Sequence, residues 1–241
     1  RIRKGDGDYS LAPFLDMLLD NLDDEDEIIH QAITFMIGGF HTTGSYMTWF
    51  FYFLAQRPDI QRKVREEVRR VRDEEGFTGI NDMKKLVYTR KVMNETLRYG
   101  KIGLFSERQA EKDTEIGGFV ITKGSQILNA LAITLDDPQS FANPGEFDPE
   151  ANFPEHKNHG MAYTPFGFGV RKCPGYRSFD LGRLFLFKIF FRFADMEMAI
   201  VAVEALSSHR IELADNQEEV KPVYGFVTKP DKEIYVNVSR M

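Results

Sequence analysis

The stretch Phe166-Gly167-Phe168-Gly169-Val170-Arg171-Lys172-Cys173-Pro174-Gly175 decides how this chain is read. Its sulfur belongs to the one cysteine among 241 residues, so no internal disulfide is possible and the thiol is a candidate for chemistry. Gly167, Gly169 and Gly175 free the backbone for a tight loop that can approach a flat partner closely. A helix expected to start near Gly175 would aim its unsatisfied N–H groups and positive end at the sulfur, favouring the thiolate. Arg171, two residues ahead of Cys173, offers a cation to neighbouring carboxylates. These are the requirements of a thiolate bonded to a metal inside a carboxylate-bearing cofactor. The competing reading is a buried, inert cysteine beside a glycine turn, which is ordinary for an isolated thiol.

Outward from the loop, the elements read as mainly α with small β parts. Toward the N-terminus, residues 136–169 are rich in Pro and Gly and read as irregular but packed. Thr114 to Ile121 and Ser125 to Ala130 predict strands around a Thr122-Lys123-Gly124 turn. Asn81 to Arg98 predicts one or two helices, in which Glu95-Thr96-Leu97-Arg98 sets an acid and a base on one face. On its own such a pair marks a surface ion pair. Pro58 opens a helix whose apolar stripe is Ile60, Val64, Val68 and Val71. From Ile28 to Gln56 there is no Asp, Glu, Lys or Arg, a run long enough to cross a bilayer. Its centre, Gly38-Gly39-Phe40-His41-Thr42-Thr43-Gly44-Ser45, is costly against lipid and natural beside a cofactor, which predicts a helix buried in protein. The acidic run Asp23–Glu27 suits that helix's N-terminus. Residues 1–22 read as a linker and a short helix over Leu11 to Leu22, and 23–241 as one further unit. Toward the C-terminus, Tyr176 to Ala194 predicts an apolar helix, and Lys221–Thr228 with Glu233–Ser239 a hairpin.

Composition narrows the function. A net charge of −6 excludes a wholly basic nucleic-acid binder, and no nucleic-acid partner is expected. The 21 Phe favour a large apolar interior or ligand cavity. Ser10, Ser45 and Ser106 lie in no nucleophile-elbow pattern, and no phosphate-binding glycine loop ends in Lys-Ser/Thr. His156 and His159 lack the further ligands of a tetrahedral metal site and read as a solvated loop. Arg171, Lys172, Arg177 and Arg183 form a basic cluster, either a docking patch for an acidic partner or a solvated surface. The opening Arg1-Ile2-Arg3-Lys4-Gly5-Asp6 has neither an initiator Met nor a signal-like apolar core, so the chain reads as beginning inside a longer protein.

Residues 166–175 resemble the cysteine-loop signature of the cytochrome P-450 superfamily: Phe, two residues, Gly, one residue, Arg, one residue, Cys, one residue, Gly. Two further motifs follow the family's order. Glu95-Thr96-Leu97-Arg98 resembles its buried Glu–Arg helix pair, and Gly38–Thr43 resembles its oxygen-activation segment. Phe119-Val120-Ile121-Thr122-Lys123-Gly124 is similar to a strand and turn of the family. The resemblance runs from about Ile28 to the C-terminus and implies the C-terminal half of the P-450 fold, with haem b (iron protoporphyrin IX) as cofactor. It implies that Cys173 is the axial iron ligand, that Arg171 and Arg108 hold haem propionates, and that Phe166 packs near the loop shaped by Gly167 and Gly175. Gly38 and Gly39 would let the helix pass close over the distal face, and Thr42 would bond dioxygen or water. A mid-helix Thr equally often bonds its own backbone. Glu95 and Arg98 would brace the haem-side core.

Two positions depart from the family pattern. His41 stands where the family has Asp or Glu, and a histidine can relay protons near neutral pH, ligate iron or simply pack. Phe147-Asp148-Pro149-Glu150-Ala151-Asn152-Phe153 resembles the family's Phe-x-Pro-Glu-Arg-Phe stretch with one residue more and no Arg, so the usual third partner of Glu95 and Arg98 is missing. Both features are reminiscent of the superfamily's orphan family 20. The resemblance implies a monooxygenase that inserts one oxygen atom into an apolar small-molecule substrate, with electrons from a reductase or ferredoxin-type partner. It implies membrane association at the endoplasmic reticulum through an N-terminal part absent from this chain. The alternatives are a haem-dependent isomerase or dehydratase, and a non-catalytic haem-binding protein or fragment.

Overall fold

The computed structural model describes residues 13–74, 76–77, 80–155, 157–175 and 193–241. Helix α1 (Pro13–Asn21) leads into the long α2 (Glu25–Ala55). The acidic run does begin α2: the Asp24 carboxylate accepts the Asp26 N–H at 2.8 Å and the Glu27 N–H at 3.4 Å, satisfying two donors that a helix start leaves orphaned. Pro58 opens α3 (Pro58–Arg69), which passes into a π-helical turn over Arg70–Glu74. Ile60, Val64, Val68 and Val71 are all buried, as their spacing predicts.

A 3-10 turn over Ile80–Lys85 precedes α4 (Val87–Gly100). Then four short strands appear: β1 (Ser106–Gln109), β2 (Thr114–Ile116), β3 (Phe119–Ile121) and β4 (Gln126–Asn129). Their pairing differs from the expected single hairpin around Thr122-Lys123-Gly124. Thr114 to Ile121 folds on itself, β2 against β3, across Gly117 and Gly118, both at positive φ. β4 instead pairs with β1, a strand the sequence pattern did not reveal, with Arg108 opposite Ile127. The single-turn helix α5 (Leu131–Thr134) precedes the Pro- and Gly-rich region, and α6 (Pro149–Asn152) lies within it. Phe141, Phe147 and Phe153 there are buried, so that region is packed as expected.

Helix α7 (Phe193–Ser208) follows, then β5 (His209–Leu213), β6 (Pro222–Val223), β7 (Lys229–Pro230) and β8 (Val236–Arg240). The expected apolar helix from Tyr176 lies outside the described residues except for its last two positions. The expected C-terminal hairpin is corrected too. β6 pairs with β7 over two residues, while β8 pairs with β5, a strand well before it. Strand choice here follows α7, which delivers β5 to the edge that β8 needs.

The core joins α2, α3, α4 and α7. Trp49, Phe50, Phe53 and Leu54 of α2 meet Val64 and Val68 of α3, Val92 and Leu97 of α4, and Ala199, Ala202, Val203 and Leu206 of α7. Buried polar groups pin it. The Gln61 amide donates to the Leu54 and Ile211 carbonyls at 3.0 and 2.7 Å and accepts the Ile211 N–H at 3.0 Å. Arg65 and Arg69 donate to the Leu206 and Ser207 carbonyls, which the end of α7 would otherwise leave unpaired.

Glu95 and Arg98 are fully buried in the same core. Arg98 Nε and Nη2 grip the carboxylate at 2.7 and 2.8 Å, and the remaining guanidinium donors reach the Leu135, Pro144 and Glu146 carbonyls. The pair is therefore not a surface bridge, and the third partner that appears missing from the sequence is Asn152. Its amide donates to Glu95 Oε1 at 2.9 Å and to the Asn143 carbonyl at 3.1 Å. The Asp148 N–H donates to Glu95 Oε1 as well, at 2.8 Å. Burial pushes the Glu95 carboxyl up, and Arg98, Asn152 and the Asp148 N–H pull against it. A buried ion pair survives only when its other donors and lone pairs are satisfied, and here Asn152 completes the set.

Candidate functional site

The cysteine loop is a closed turn. Gly167 N–H donates to the Thr164 carbonyl at 2.9 Å, Lys172 N–H to Gly169 at 3.2 Å, and Cys173 N–H to Phe166 at 2.9 Å. Gly167 and Gly169 adopt φ of 72° and 68°, a conformation that disfavours side chains. Phe166 is half-buried against the core, so the loop hangs from a fixed anchor. Cys173 is half-buried, while Arg171 is exposed on the 3-10 turn Gly169–Arg171. Burial pushes the Lys172 ammonium down, with Asp195 and Cys173 opposing.

Gly175 lies in a turn and is closely packed. A Cβ placed there would stand 3.4 Å from Ala194 Cβ and 3.7 Å from Cys173 Sγ. Ala194 N–H donates to the Gly175 carbonyl at 3.0 Å. Among the described residues, α7 meets the loop at Phe193 and Ala194; the helix expected from near Gly175 lies outside them.

The glycine-rich centre of α2 presents an open surface. Gly38 and His41 are exposed and Gly39 and Thr42 half-exposed, whereas Thr43 is buried. Gly38, Gly39 and Gly44 would each meet nothing within 4 Å if given a Cβ. Each costs the helix about 1 kcal/mol relative to Ala. No packing within the described chain explains that cost. Thr42 Oγ1 donates to the Gly38 carbonyl at 2.6 Å, and its oxygen still has lone pairs to accept a bond. The His41 ring lies edge-on to Phe40 at 5.2 Å.

α2 passes over α7, and the two enclose a cleft of about 360 Å³ lined by Gly39, Thr43, Gly44 and Met47 of α2 and Glu197 and Val201 of α7, among others. That size lies in the range of small-molecule sites. Gly38, His41, Thr42 and Cys173 are not among its lining residues. Sequence reasoning missed Glu197, whose Oε2 is buried without a hydrogen-bond partner among the described residues. The signal was an acid inside the otherwise apolar run 196–203. Arg108 stands half-buried on β1, where Nη1 donates to the Glu107 carbonyl at 2.7 Å. His159 is not in a solvated loop. It stacks on Phe141 at 4.6 Å beside Phe153, and burial pushes its imidazolium down. His156, Arg177 and Arg183 lie outside the described residues.

The sequence profile described as Cytochrome P450 matches residues 6–238. The chain belongs to the cytochrome P450 family. It is 32% identical over 238 residues to cytochrome P450 4V2 of Mus musculus, covering 94% of this chain and 42% of that protein. It is 32% identical over 215 residues to cytochrome P450 3A2 of Rattus norvegicus, covering 88% and 40%, and 28% identical over 236 to cytochrome P450 4c21 of Blattella germanica, covering 95% and 44%. The chain thus spans about two fifths of the length of these curated relatives. The cofactor of a cytochrome P450 is haem b. The chain's own geometry suits it: one half-buried sulfur on a loop held in shape by left-handed glycines, and a glycine-lined helix surface with room above it. A single protein sulfur suffices as ligand because the porphyrin supplies the other donors.

Proposed function

We propose that this chain carries the haem-binding part of a haem-thiolate monooxygenase acting on an apolar small molecule. The observation that carries the reading is the cysteine loop, closed by the Cys173 N–H to Phe166 bond and seated at the start of α7. In this reading Cys173 Sγ would hold the iron. Arg171 and Arg108 would pair with the cofactor's carboxylates. Phe166 packs beside the loop while Gly167 and Gly175 keep it tight. When bound, haem supplies the chemistry that places one atom of dioxygen into substrate, with electrons from a reductase or ferredoxin-type protein.

Gly38 and Gly39 lower the surface of α2 so that cofactor and substrate fit beneath it. Thr42 Oγ1 holds a proton, directed to the Gly38 carbonyl, and accepts another hydrogen bond through its lone pairs. The His41 imidazole takes the place of the family's acid as the group that carries protons inward. Membrane association at the endoplasmic reticulum belongs, in this reading, to a part of the enzyme beyond these residues. The test is the absorption spectrum of the reduced, carbon-monoxide-bound protein. The parent is expected to give a strongly red-shifted main band and Cys173→Ser to lose it. An unchanged spectrum in the variant would remove the basis of the proposal.

A second reading draws on His41. Without the family's acid, the same cofactor can serve isomerisation or dehydration of an already oxygenated substrate. Product formation that proceeds without any electron donor would favour that chemistry over oxygen insertion.

A further inference from the structure

The backbone bond between Ala194 and Gly175 joins two points far apart in sequence. An α-helix joins the N–H of residue i+4 to the carbonyl of residue i, with three residues between. Here Ala194 N–H meets Gly175 O at 3.0 Å across eighteen intervening residues. Gly175 also packs directly on Ala194, with 3.4 Å from its Cβ position to Ala194 Cβ, closer than the roughly 5–6 Å between successive turns of a helix. The chain leaves at Gly175 and returns to the same point.

We infer that fifteen residues, 178–192, are an insertion into the first turn of α7, and that α7 is the element that braces the cysteine loop. Removing them leaves Gly175-Tyr176-Arg177-Phe193-Ala194, in which the observed bond takes the i to i+4 spacing of a helix. The sequence carries a matching mark. Arg177 and Arg192 are the same residue type, so cutting out 178–192 or 177–191 yields an identical chain. An insertion that begins and ends on a repeated residue leaves this trace.

The anchors of α7 lie elsewhere. Met198, Ala199, Ala202, Val203 and Leu206 are buried, and Arg65 and Arg69 of α3 hold its C-terminal carbonyls. With the insertion removed, α7 runs unbroken from the loop, and its N-terminal dipole bears on Cys173 through a continuous turn. The fold claim stands by itself. Only its bearing on the sulfur rests on the proposed haem-thiolate function.

The experiment compares the parent with a 178–192 deletion and with a variant whose fifteen residues are replaced by Gly and Ser at equal length. Thermal unfolding and exchange of the Ala194 amide are read for all three. The deletion is expected to unfold cooperatively at or above the parent's temperature, with the Ala194 amide at least as protected, because it no longer closes a long loop. A deletion variant that loses its cooperative transition overturns the inference. If the Gly-Ser variant keeps its transition while the deletion does not, the ends do not meet and the inference also falls. If the deletion stays folded and the Gly-Ser variant does not, the inference stands. Haem content is measured separately: a folded deletion variant that takes no haem leaves the insertion intact and strikes the haem-thiolate reading instead.

Discussion

The two halves of α2 have similar composition and opposite surroundings. Phe50 and Leu54 are 1% and 0% exposed, while Met36 and Phe40 are 70% and 74% exposed. Ile29, Ile33 and Ile37 are bare as well. Periodicity and lack of charge read both halves as buried, and only the second half is buried among the described residues. What separates them is the partner surface. Trp49 to Leu54 lie against α3, α4 and α7, whereas residues 29–40 meet α1 and the edge of the cleft. Among the described residues, no helix, α2 included, is long and apolar enough to cross a membrane.

The contrast can be broken by mutation. Phe50→Ala is expected to lower the unfolding free energy by about 3–5 kcal/mol, against less than about 0.5 kcal/mol for Phe40→Ala, both read from denaturant midpoints. Equal losses would mean that the first half is packed in solution. Asn152→Ala is expected to cost about 1–3 kcal/mol, because it leaves a buried carboxylate oxygen and the Asn143 carbonyl short of a donor. A neutral result would place the burden of that network on Arg98 alone.

Gly38→Ala tests the bare half from the other side. It is expected to raise stability by about 1 kcal/mol while lowering the haem retained per chain, since the added methyl meets no protein atom within 4 Å. A variant that gains stability and keeps its haem would mean that the glycine is not reserved for the cofactor. The smallest effect concerns pH. Burial holds the His159 imidazolium below its ordinary value of about 6.5. The unfolded chain therefore binds the proton first, and stability is full above about pH 6.5 and declines as pH falls below it. Thermal unfolding of His159→Phe across that window is expected to show a shallower decline than the parent.

Much of the site was legible because its signals are local. The spacing of Gly167, Gly169, Arg171 and Cys173, the Asp24 cap and the stripe of α3 are each set within a few residues, where backbone geometry and helix period act directly. Asn152 was not legible, because an amide can replace a guanidinium only where the facing carbonyls lie at the right distance. Nor were the pairings of β1 with β4 and β5 with β8, which depend on elements distant in sequence. α7 was missed because its start is separated from the loop it serves.

The amino-acid order by itself determined the mainly helical character, the tight cysteine loop and the membership of a family, since each rests on short-range spacing. Tertiary structure alone decided which half of α2 is covered, who completes the Glu95–Arg98 network and which helix meets Cys173. Those outcomes depend on surfaces brought together across more than fifty residues of chain, or across an excursion that ends where it began, and no local pattern encodes that closure.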